Sequence, residues 1–139
     1  MLQKLNNVNV LRHEVLTKPN ALKTALPASE SIEEVVSAGR QAVNQILTRE
    51  DPRLLVVVGP CSIHDPEAAR EYGRRLAALA GELEDTLLLV MRVYFEKPRT
   101  SIGWKGLIND PYLDGTFRID EGLRRARQLL LELSALGLP

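Results

Sequence analysis

Residues 54–65 read Leu54-Leu55-Val56-Val57-Val58-Gly59-Pro60-Cys61-Ser62-Ile63-His64-Asp65, and residues 87–101 read Leu87-Leu88-Leu89-Val90-Met91-Arg92-Val93-Tyr94-Phe95-Glu96-Lys97-Pro98-Arg99-Thr100-Ser101. Both share one plan: a short apolar run enters a polar turn loaded with reactive side chains. The run 54–58 is too short for a helix and rich in Val. An unbroken apolar run of this length suits a strand buried on both faces, the habit of parallel sheets. Leu87 to Phe95 predicts a second strand. Between the two, Asp65-Pro66 opens a helix, with Asp as N-cap and Pro at the first position. That helix runs to about Leu83, with Tyr72, Leu76, Leu79 and Leu83 on one face. Strand, helix, strand in this order implies parallel pairing through a right-handed crossover.

Working outward, residues 31–48 predict an amphipathic helix. Ser31 with Glu34 reads as a capping box, and Ile32, Val35, Val36, Ala42, Val43, Ile46 and Leu47 recur at helical spacing. Thr17 to Leu26 holds a short helix with Pro19 in its first turn. Residues 1–16 are polar and mixed, an arm or a short edge strand expected to pack on something else, such as another subunit. On the other side, residues 96–118 form a long loop. Structureless loops beyond about 12–15 residues are uncommon in compact domains, so its length hints at function. Asp120 is expected to cap a last helix with Leu123, Ala126, Leu129, Leu130 and Leu133 inward, and Gly137 to close it. Leu136-Gly137-Leu138-Pro139 reads as the lead-in to a further strand. Two strands alone leave sheet edges open. The expectation is therefore the first quarter of a larger α/β domain.

Composition narrows the class. The 139 residues suit one domain, and 45% hydrophobic with 26% charged residues fits a soluble globular chain. Lys and Arg balance Asp and Glu to a net charge of zero, so no global basic field points to nucleic acid or a membrane surface. No apolar run reaches the roughly 18 residues of a membrane span, and no signal-peptide core is present. One cysteine excludes an internal disulfide framework, which favours a reducing, cytoplasmic setting.

In α/β folds reactive groups gather at the C-terminal ends of the strands, where both polar turns sit. Cys61 reads as a thiolate metal ligand or nucleophile, or as a small buried residue filling a gap. Arg92 interrupts an apolar strand. It is either in a structural ion pair, with Glu96 for example, or an anion-binding group; the latter is favoured because further cations come at once after it. Arg92, Lys97, Arg99 and Lys105 face Glu96 alone within 92–105. With the Thr100 and Ser101 hydroxyls and the rigid Pro98, this reads as a clamp for phosphate or carboxylate groups. Trp104, between Gly103 and Gly106, reads as a loop anchor, a subunit contact or a site wall.

Three long motifs carry a resemblance: residues 58–65, residues 91–100, and Gly103-Trp104-Lys105-Gly106-Leu107-Ile108-Asn109-Asp110-Pro111. They resemble the type I, aromatic-amino-acid-regulated DAHP synthases (3-deoxy-D-arabino-heptulosonate 7-phosphate synthases), over nearly the whole chain. The resemblance implies a (β/α)8 barrel with an N-terminal extension. Residues 1–50 would be that extension, and 51–139 the first two βα units. It implies condensation of phosphoenolpyruvate with erythrose 4-phosphate, the first step of the shikimate pathway to aromatic amino acids. A divalent metal of the Mn, Fe, Co or Zn class is implied, with Cys61 as one ligand. Arg92 would contact phosphoenolpyruvate, Lys97 would act beside it through the metal-site water, and Lys97, Pro98, Arg99 and Thr100 would hold erythrose 4-phosphate. The family's other metal ligands, a His, a Glu and an Asp, lie further along than residue 139. The 139 residues alone are accordingly expected to be inactive, or to act as a binding module with a full-length subunit. The resemblance also implies a homo-oligomer and an aromatic effector. Leu5-Asn6-Asn7-Val8 looks more like the tyrosine-sensitive forms, which marks Asn7 as a regulatory candidate.

Overall fold

The computed structural model describes residues 6, 8–10, 13–97 and 102–139. Asn7, Pro98, Arg99, Thr100 and Ser101 lie outside the described residues. The elements in chain order are α1 (Pro19–Ala25), α2 (Glu30–Leu47), β1 (Leu54–Val58), α3 (Pro66–Glu82), β2 (Leu87–Met91) and α4 (Ile119–Ser134). The described residues before α1 are exposed and form no strand.

β1 and β2 pair in parallel, Leu54 opposite Leu87 through Val58 opposite Met91. This register puts Val56, Val58, Leu89 and Met91 on one face. That face meets Ala69 and Leu76 of α3 and Ala126, Leu129 and Leu133 of α4 in a single apolar core. Leu129 is wholly buried, which stabilises the fold by about 2 kcal/mol for such a side chain. Gly73 lets α3 and α4 approach, since a Cβ there would lie 2.5 Å from Leu133 Cδ2.

The opposite face is barer than the apolar run implies. Val57, which points away from that core, is 59% exposed. The expectation of a strand buried on both faces is thus corrected: helices α3 and α4 cover one face, and α2 gives β1 a smaller contact. Leu47, Leu79 and Leu130, expected to face inward, are also exposed: Leu47 is the last residue of α2, and Leu79 and Leu130 sit at the edge of their helices' apolar stripes.

Helix starts are set by side-chain chemistry. Asp65 caps α3, its carboxylate accepting from Glu67 N at 2.8 Å and Ala68 N at 3.3 Å. α2 begins earlier than Ser31: Ser29 is the N-cap and accepts from Ile32 N. Asp120 is not a cap but lies in the first turn of α4, where it accepts from Thr17 N at 2.8 Å. β2 ends at Met91, not Phe95, because β1 turns away at Gly59-Pro60 and Pro offers no N–H to a ladder. After α4, Gly137 adopts φ +83°, its N–H bonding Ser134 O, and Met91 N donates to Pro139 O at 3.1 Å. Leu138 is buried there, so the last residues lie along β2 as a strand lead-in would. Among the described residues no helix is long and apolar enough to cross a membrane.

Candidate active site

The two strand-end turns are stitched together. Arg92 N donates to Val58 O at 2.8 Å and Ile63 N to Tyr94 O at 2.8 Å. Gly59 makes this approach feasible, because a Cβ there would sit 2.3 Å from Arg92 O. The Arg92 side chain then reaches back across the gap. Its Nη1 donates to Pro60 O at 2.7 Å and Cys61 O at 3.0 Å. Its guanidinium lies over the Tyr94 ring, 4.7 Å from the centroid. The ion pair with Glu96 does not form; Arg92 is held by carbonyl dipoles, and no described carboxylate neutralises it. Its full charge is left available to an anion.

Lys97 comes from the second turn. A single antiparallel bridge, Glu96 with Gly106, squares the base of the loop, and Lys97 N bonds Lys105 O at 3.0 Å. From that base Lys97 Nζ reaches Cys61 Sγ at 3.3 Å. Cys61 is exposed, which removes the gap-filling reading. The hydrogen bond from Lys97 holds its thiol below the ordinary range. The charge of that ammonium adds to this, and Arg92 adds less. This lowering raises the share of thiolate relative to a free cysteine.

A scaffold of its own supports the loop. Trp104 Nε1 donates to Asp110 O at 2.8 Å, and the indole packs on the core, so Trp104 is a loop anchor. Asp110 is 6% exposed; its Oδ2 accepts from Gly115 N at 3.1 Å, whereas Oδ1 has no partner among the described residues. Arg125 Nη1 donates to Pro111 O, and the Arg125 guanidinium stacks on Tyr112. His64 is exposed and lines a small apolar pocket beside α3 with Ser62 and Tyr72.

Cys61, Arg92 and Lys97 are thus brought together from two turns; for Pro98, Arg99, Thr100 and Asn7 the described residues give no placement. Tyr94 and Asp110 are the residues that sequence reasoning misses. Tyr94 is findable, because an extended chain places residues two apart on one side. The donor chemistry at Cys61 fits a soft or borderline metal: an exposed thiolate offers one ligand. Among the described residues no three His, Cys, Asp or Glu side chains cluster, so Cys61 supplies one donor and not a closed site.

Two cations and a cysteine at the C-terminal ends of two parallel strands occupy the place where α/β folds form their ligand and active sites. Residues 26–139 match the DAHP synthetase I family, and the chain belongs to that family. It is 58% identical over 135 residues to the Tyr-sensitive phospho-2-dehydro-3-deoxyheptonate aldolase of Escherichia coli (strain K12), covering 97% of this chain and 38% of that protein. Identity to the Phe-sensitive enzyme of the same organism is also 58%, over 124 residues, covering 89% and 35%. Overall identity therefore does not select an effector. The structure of phospho-2-dehydro-3-deoxyheptonate aldolase from Francisella tularensis SCHU S4 aligns with a TM-score of 0.90 at 46% identity, covering 94% of this chain and 38% of that one. The chain spans about two fifths of the length of these relatives.

Proposed function

We propose that these residues form the phosphoenolpyruvate-facing part of a DAHP synthase, which condenses that substrate with erythrose 4-phosphate. The observation that carries the reading is the convergence of Arg92 and Lys97 on Cys61. Both substrates are anions and repel one another. Arg92, uncompensated by any described carboxylate, offers a fixed guanidinium edge to a carboxylate or phosphate. Lys97 adds an ammonium beside it, within proton-transfer reach of groups bound at Cys61. Cations held in place before the substrates arrive offset the repulsion and need little reorganisation during reaction.

Cys61 would hold a divalent metal of the Mn, Fe, Co or Zn class, whose Lewis acidity would polarise the aldehyde. The remaining donors would come from residues beyond 139. Arg99, Pro98 and Thr100 would complete the sugar-phosphate clamp. In this reading β1, α3, β2 and α4 (51–139) are the first two βα units of a (β/α)8 barrel. The bare face of β1 would then be the side that barrel closure covers, and 1–50 the extension. A cytoplasmic homo-oligomer inhibited by an aromatic amino acid, tyrosine by preference and with Asn7 in the effector region, completes the proposal. By itself the 139-residue chain would be inactive, at most a binding module.

The test is phosphoenolpyruvate consumption by a protein of the relatives' full length carrying these residues. Consumption dependent on erythrose 4-phosphate, abolished by a chelator and restored by divalent metal, is expected. Phosphoenolpyruvate turnover that ignores erythrose 4-phosphate, or none at all, would sink the reading.

A further inference from the structure

We propose that Tyr94 is a positioning residue for Arg92, its ring fixing the plane of the guanidinium that receives the enol phosphate substrate. This rests on the reading of Arg92 as a substrate-contacting group. Arg92 makes its two hydrogen bonds through one nitrogen, Nη1, to Pro60 O and Cys61 O. A single nitrogen is a pivot: the rest of the fork can swing about it. The ring of Tyr94, 4.7 Å below the guanidinium carbon, supplies the missing second constraint.

The backbone that carries the ring is anchored. Tyr94 O accepts from Ile63 N at 2.8 Å, and the neighbouring Ile63 and Phe95 are buried in the core. Three elements of support, two carbonyls and a π-face, thus converge on one cation, leaving Nε and Nη2 without partners among the described residues. That open edge matches the two-point geometry of a carboxylate or phosphate. An aromatic face is a fitting support. It stabilises a delocalised cation without neutralising it, as a carboxylate in the same place would. The ring, and not the hydroxyl, is the working part.

The experiment measures phosphoenolpyruvate affinity by calorimetric titration in the absence of erythrose 4-phosphate, using a protein of the relatives' length. Tyr94→Leu and Tyr94→Met should each weaken binding about fivefold, the size expected of a lost cation–π contact. The KM for phosphoenolpyruvate should rise more than the KM for erythrose 4-phosphate. Tyr94→Phe should rescue affinity to within about twofold. In an Arg92→Lys background, where the planar fork is gone, Tyr94→Leu should have a much smaller effect, a coupling that a merely structural tyrosine would not give. Undiminished affinity in both non-aromatic variants, failure of Phe to rescue, or equal losses in both Arg92 backgrounds would overturn the assignment. If the unsubstituted protein does not bind phosphoenolpyruvate, the functional reading falls as well; if it binds and Tyr94 is silent, only the positioning role falls.

Discussion

The two turns that end β1 and β2 are built on opposite principles. The first spans residues 59–65 and is made rigid by the start of the next helix: Asp65 caps α3 and Pro66 sits in its first turn. The second is far longer, running from Arg92 to Arg118 before α4 begins. It builds its own frame instead, from the Glu96–Gly106 bridge, the Trp104–Asp110 bond and the Arg125 contact with Pro111. The short turn contributes an exposed thiol at a fixed place. The long one contributes cations that are brought to that thiol. Placing one reactive atom takes few residues, whereas aiming a lysine across a gap takes a scaffold.

Three substitutions test this contrast. The largest effect is expected from Leu129→Ala, which empties a fully buried position in the shared core. It should cost about 3 kcal/mol, read as a lower thermal midpoint; if the loop has its own frame, the emission of Trp104 before unfolding should stay unchanged. Next comes Gly59→Ala, aimed at the seam between the turns. Its methyl would meet Arg92 O and force the two apart, costing about 2 kcal/mol and loosening phosphoenolpyruvate binding together with stability. Retained affinity would mean that the turns are not coupled through their backbones. The smallest effect is acid sensitivity at Glu121, where α4 joins the loop. The Arg124 hydrogen bond, seconded by Arg125, depresses its carboxyl to about 2 from the ordinary 4.5. Because the folded value is the lower one, the stabilisation is complete above pH 4.5 and is lost as pH falls toward 2. The difference in thermal midpoint between the parent and Glu121→Gln should shrink across that window and be flat above it.

Much of this is legible in the sequence because it depends on local chemistry. The Asp65-Pro66 start of α3, the two Val- and Leu-rich strands and the cation density after Arg92 need no tertiary information. The start of α2 lies two residues before the expected cap, because Ser29 and Ser31 are equally good caps and only the backbone decides between them. The exposure of Val57 is hidden from the sequence because apolar patterning shows what wants to be buried, not what is there to bury it. Of the site, Cys61, Arg92 and Lys97 are visible from type and position. The Arg92 partners are not, since carbonyl oxygens leave no mark in a sequence. Nor is Asp110, whose burial depends on a loop folding back over it.

The Thr17–Asp120 bond has a companion further on: Arg127 Nε donates to Leu26 O at 2.7 Å. The two anchor points on α4 are seven residues apart, about 10 Å along the axis at the usual rise. The strap between them contains α1, whose seven residues span about the same length. α1 and α4 are therefore matched like two rulers pinned at both ends. Inserting or deleting one residue in α1 would put the pins out of step, so the length of the N-terminal segment is gauged against the helix that comes after the site loop.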